Sequence, residues 1–154
     1  MPLTHMLGDT TRTMSFAPLT SDDITALDSD REFATAVLDA RFPGTHLIGT
    51  PSDVEVLQRI VQGGPYTDSA EGELVALGTS LGDLLSRALG LEWVRYTDEH
   101  GTDIGLRYRD TSIVIFPRDM LIKRVEAGEE VDLQHLYDGV VREIEQLVAS
   151  GEYR

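Results

Sequence analysis

The residues best placed to do chemistry in this chain are basic. Arg95, Arg107, Arg109, Arg118, Lys123 and Arg124 crowd into one stretch of an otherwise acidic protein. Arginine presents a rigid fork of donors that matches carboxylate and phosphate oxygens. One reading is therefore an anion or carboxylate site in which Arg95, Arg107, Lys123 and Arg124 hold the ligand. Arg95 and Arg107 are expected as cross-strand neighbours, and the segment Pro117–Arg124 leaves the same sheet. Trp93, the single tryptophan, would then be a contact anchor beside them. The more ordinary reading makes these surface arginines, paired with Glu92, Asp103, Asp119 and Glu126 and worth little energetically. In that case Trp93 belongs to the core.

Other reactive groupings are missing from the local sequence. The histidines are His5, His46, His100 and His135, none of them one helical turn from another, and cysteine is absent. No metal-ligand spacing results, and surface positions are expected for all four. Gly78-Thr79-Ser80-Leu81-Gly82 brushes the nucleophile-elbow pattern, but it falls inside a helical stretch where a strained turn is not expected. Neither a Gly-x-Gly-x-x-Gly run nor a Gly-Lys-Ser/Thr phosphate loop occurs. Asp98-Glu99, Asp103, Glu126, Glu129-Glu130 and Asp132 could run proton chemistry or hold a divalent cation. On a chain of net charge −14 such groups arise by chance. No catalytic residue, metal or cofactor is expected.

Several elements must position these side chains. With 154 residues, the chain fits one domain, which can bury about 68–70% of its unfolded surface. Residues 1–20 carry no period and read as a flexible N-terminal tail, leaving 21–154 as a single domain. Helical signals begin at Ser21. Ser29-x-x-Glu32 has the form of a capping box, and Phe33, Ala36, Val37 and Ala40 share a face behind it. Thr50-Pro51-Ser52-Asp53 opens a second helix, with Thr50 as cap, Asp53 facing the positive helix end, and Val54, Leu57, Ile60 and Val61 as its stripe. Gly63-Gly64-Pro65 stops it. A third helix runs from about 69 to Leu89, closed by Gly90. Inside it Gly78 and Gly82 each cost about 1 kcal/mol against alanine. Close approach of another backbone explains them better than a groove kept open for a ligand.

Three strands follow: Leu91–Tyr96, one around Ile104–Tyr108, and Ser112–Phe116. Short turns at 98–101 and 109–110 make them an antiparallel meander. Pro117 ends the sheet. Met120, Leu121, Ile122 and Val125 suit a short helix closed by Gly128. Asp132 caps a last helix built on Leu133, Leu136, Val140, Ile144, Leu147 and Val148. The expected fold is α+β, order α-α-α-β-β-β-α-α, with a three-stranded meander packed on one face by several helices.

Leu77-Gly78-Thr79-Ser80-Leu81-Gly82, then Glu92-Trp93-Val94, Asp98, Gly101 and Phe116-Pro117-x-x-Met120-x-x-Lys123-Arg124-x-x-x-Gly128 resemble the bacterial domain of unknown function 3806 family over about 74–147. The resemblance implies a compact α+β module of bacterial origin and carries no activity, cofactor or catalytic residue with it.

The charge balance, 27 acidic against 13 basic residues, repels phosphate backbones and anionic lipid, so neither nucleic acid nor membrane is expected as a partner. No run is apolar enough for a signal peptide or a membrane span. Without cysteine, the cytoplasm is the default. The leading functional expectation is a non-enzymatic module that docks a protein with a basic surface, in the manner of immunity proteins. The alternative is an anionic-ligand or enzymatic domain at the Arg/Lys cluster. The oligomeric state is not legible.

Overall fold

The computed structural model describes residues 13–62 and 71–151. The first helix starts earlier than its Ser29 signal. Thr20 caps it: its hydroxyl accepts from the Asp23 N–H at 3.1 Å, and the Asp23 carboxylate accepts from the Thr20 N–H at 2.9 Å. This closed box opens α1 (Ser21–Arg41), and Ser29 falls in mid-helix, exposed. The expected stripe also differs. Leu27, Ala34 and Leu38 face inward, whereas Phe33 is 47% exposed. Two polar inward positions, described below, displace the apolar phase.

The second helix, α2 (Asp53–Val61), buries Val54, Leu57, Ile60 and Val61 as its spacing predicts. Its entry differs: Asp53 reaches back to the loop rather than capping its own helix. The helix stop at residues 63–65 lies outside the described residues. Next comes α3 (Glu71–Leu89), ended at Gly90, whose φ is +69° as a left-handed cap requires. Its Leu77, Leu81 and Leu85 are wholly buried at the centre of the core.

The sheet has four antiparallel strands, not three, in the order β1-β2-β3-β4. These are β1 (Ser15–Ala17), β2 (Leu91–Asp98), β3 (Gly101–Tyr108) and β4 (Val114–Ile115). The added strand, β1, falls within the stretch read as a tail and pairs Phe16 with Tyr96. Three residues are too few to show a period, so no sequence pattern marks it. The order among the described residues is therefore β-α-α-α-β-β-β-α-α. After the sheet come α4 (Pro117–Glu126), with Pro117 in its first turn, and α5 (Leu133–Ser150), with Asp132 accepting from the His135 N–H.

The two helix glycines mark a close crossing. A Cβ on Gly78 would overlap the Pro117 carbonyl oxygen, and one on Gly82 would stand 2.7 Å from the Trp93 ring. The start of α4 and the sheet tryptophan lie directly on α3. The space beside these glycines is filled, and no groove is left there.

Candidate functional site

Period-two alternation assigns the sheet residues to faces. Trp93 pairs with Leu106 and Arg95 with Ile104 on the face toward α3 and α1. Glu92 pairs with Arg107, and Tyr96 with Asp103, on the other. Arg95 and Arg107 are therefore not cross-strand neighbours; an odd offset between them puts them on opposite faces.

Arg95 reaches the first turn of α1, where its Nη1 donates to both Asp23 oxygens at 2.9 and 3.0 Å. Trp93 donates its indole N–H to Asp83 at 3.0 Å. Arg107 lies 3.8 Å over the Phe16 ring and donates to the Thr111 carbonyl. Lys123 and Arg124 occupy the last turn of α4, where a positive charge suits the helix dipole. The five sequence-selected residues thus spread over two faces of the sheet and a helix end.

Sequence reasoning missed the ionic seam under α1. Asp30 accepts from Arg118 Nε at 2.9 Å and from the Thr79 hydroxyl at 2.6 Å. Arg31 forks onto Asp83 with two bonds of 2.9 Å, and Arg41 meets Glu73 at 2.7 Å. Of the clustered arginines, Arg95 and Arg118 find carboxylates on α1, not the sheet and α4 partners expected for them. Burial alone would raise the Asp23 carboxyl; the Thr20 N–H and the Arg95 guanidinium outweigh it and hold the group below its usual value. Asp83 holds the Arg31 guanidinium charged beyond its ordinary range. A signal existed: Asp23, Asp30 and Arg31 recur at helical spacing beside Leu27, Ala34 and Leu38.

At the edge of this seam Asp103 and Asp119 bring two carboxyl groups together. Burial raises the Asp103 carboxyl, and the Asp119 charge and hydrogen bond add to the rise, opposed by the Ile104 N–H and Arg118.

A different region is acidic. The end of α4 and the α4–α5 connection carry Glu126, Glu129 and Glu130, all exposed. Glu129 and Glu130 line a shallow concavity of about 430 Å³ with Val61, Val125 and Val131. The Gln58 amide fixes this connection to α2: Nε2 donates to the Val131 carbonyl at 3.1 Å and Oε1 accepts from the Leu133 N–H at 2.7 Å. Both ends of the amide are used, so the acidic turn is held in place rather than left to fray. A second concavity lies between α1, the 42–52 connection and α3, with Leu57 and Leu84 among its lining residues. Among the described residues no group of His, Asp or Glu side chains forms a metal site, and no helix is long and apolar enough to cross a membrane.

These elements define an α+β module whose antiparallel sheet and helices surround one apolar interior. The chain belongs to the family described as Domain of unknown function (DUF3806), which matches residues 53–137. That match takes in α2 to the first turns of α5 and leaves β1 and α1 before it. A crystal structure from Bacteroides thetaiotaomicron VPI-5482 shares the fold, with a TM-score of 0.73 at 18% identity over 87% of this chain. The chain spans 50% of that structure's length, and at such identity the likeness is one of fold alone. No curated protein matches the chain.

Proposed function

We propose that this chain is a non-enzymatic protein-binding module that docks a partner bearing a basic surface, as immunity-type proteins do. The observation that carries the reading is where the charges go. Arg31, Arg41, Arg95 and Arg118 are turned onto the chain's own carboxylates. Exposed carboxylates then far outnumber exposed basic groups among the described residues. Such a field steers a cationic partner and rejects anionic ones. The Glu129–Glu130 concavity gives that field a seat: an incoming Arg or Lys lays its stem on Val61, Val125 and Val131 and its charged head between the glutamates. A cytoplasmic setting goes with this reading. The alternative, an anionic ligand at Arg95, Arg107, Lys123 and Arg124, would first need Arg95 released from Asp23.

The test is capture from the native host at low salt with the wild-type chain and with Glu129→Lys/Glu130→Lys. The reading expects a basic protein held by the wild type, released by salt and not held by the charge-reversed chain. Recovery of no partner, or of one indifferent to both salt and the reversal, refutes it.

A further inference from the structure

We propose that the cleft between α1, the 42–52 connection and α3 binds a small aliphatic carboxylate. The cleft encloses about 260 Å³ and shares no lining residue with the acidic concavity. Leu47, Leu57 and Leu84 give it an apolar side. Asp53 is satisfied by the Ile48 N–H at 3.1 Å and the Gly49 N–H at 2.7 Å. Asp83 is satisfied by the Arg31 fork and the Trp93 indole. Ser80 donates to the Ala76 carbonyl. Every carboxylate of the cleft is therefore already engaged by the protein.

The charged spare capacity is on the donor side. Arg87 spends one N–H on the Gly49 carbonyl, at 3.2 Å, and a guanidinium has five. Thr35, which carries a hydroxyl, also lines the cleft. An acceptor-rich head group fits these donors, and an ammonium head would meet no free carboxylate. The mouth is preformed: Asp53 fixes the 48–49 backbone and Arg87 ties it to α3. Ile48 stands beside it, 67% exposed, and a bound aliphatic chain would cover this side chain. The net charge of −14 opposes an anion at long range, so the expected affinity is modest, with Kd on the order of 0.1–1 mM.

The experiment titrates the methyl-labelled full chain with propionate, butyrate and hexanoate, and with butyramide and butylamine as uncharged-head and cationic-head controls. The expected result is a saturable shift of the Ile48, Leu57 and Leu84 methyl signals. Affinity should rise about fourfold per added methylene until the cleft is full. Butyramide and butylamine should bind at least about tenfold more weakly than butyrate. Arg87→Gln should cut butyrate affinity about tenfold, while Arg142→Gln on α5 leaves it unchanged. If Arg87→Gln fails to fold, the contrast between butyrate and butyramide on the wild type decides alone. No saturation below about 10 mM, equal binding of acid and amide, or a folded Arg87→Gln chain that binds as the wild type does would each overturn the proposal. Equal affinity for propionate, butyrate and hexanoate would overturn it as well.

Discussion

Gly78→Ala tests the crossing of α3 and α4, and Gly139→Ala in α5 supplies its internal control. In a helix interior alanine is favoured over glycine by about 0.8–1.0 kcal/mol. At Gly139 nothing lies within 4 Å of the new methyl, so that gain should appear undiminished. In a chain of this size it amounts to a rise in Tm of about 2–4 °C. At Gly78 the same gain is opposed by backbone. The methyl would overlap the Pro117 carbonyl oxygen and sit 3.1 Å from its carbon and 3.3 Å from the Arg118 Cα. A flexible side chain could swing away, but these atoms cannot without moving the start of α4 by roughly 1 Å. That shift also stretches the 2.9 Å bond from Arg118 to Asp30. Overpacking of about 1–3 kcal/mol together with a weakened ion pair outweighs the propensity gain. The expected net loss is about 1–3 kcal/mol, or a fall in Tm of about 2–12 °C. Urea unfolding followed by circular dichroism, with Trp93 fluorescence as a second probe, measures both variants. Equal stabilisation of the two would refute the claim that α4 backbone occupies the space above Gly78.

Further outcomes follow from the ionic seam. Arg118→Met keeps the aliphatic stem but leaves the Asp30 carboxylate, 13% exposed, with only Thr79 as partner; a loss of about 2 kcal/mol in urea unfolding is expected, and adding Asp30→Asn should recover part of it. Asp83→Asn removes the charge that Arg31 and Trp93 share, so the Trp93 emission should shift while stability falls by about 1–2 kcal/mol. Asp103 titrates above its unfolded value. The stability it contributes is complete only below the unfolded carboxyl range near pH 4 and is lost as pH rises through its raised value. Asp103→Asn should therefore stabilise the chain at pH 7, by about 0.5–1 kcal/mol, and leave it unchanged at pH 3; an equal gain at both would remove the carboxyl pair as the cause. Asp23 has the opposite sign. Its carboxyl is lowered, so its contribution is present above pH 4 and disappears as pH falls through the lowered value.

What could be read from the sequence follows the range of each signal. The stripe of α2, the glycine cap at Gly90, the hairpin at 98–101 and the Asp132 cap are local patterns, and each is met in the structure. The glycine pair also read correctly, because two destabilising residues one turn apart require a neighbour. The entry to α1 misled because Ser29-x-x-Glu32 and Thr20-x-x-Asp23 are equivalent as strings; only the second has its hydrogen bonds made. The strand β1 needed knowledge that β2 leaves an edge to be covered. The arginines cluster in sequence, yet Asp23 and Asp30, the partners of Arg95 and Arg118, lie far off in the chain and on another element. Sequence proximity among like charges says little about where each charge ends up, since each is drawn to the nearest opposite charge in space. Neither concavity is legible in the sequence, because each is assembled from elements distant in the chain.

The seam also sets a schedule for biosynthesis. Asp30 emerges from the ribosome 88 residues ahead of Arg118, and Asp23 72 residues ahead of Arg95. At about 5–20 residues per second the gap for the first pair is roughly 4–18 s. Until α3 follows, with Asp83 52 residues behind Arg31, α1 has only α2 to lie against, and until Arg118 arrives the Asp30 end of the seam stays open. Its few inward leucines, set among carboxylates and exposed polar groups, let it wait in water without drawing neighbouring nascent chains together. A greasier first helix would fasten more firmly once finished, but would be sticky for the whole of its wait.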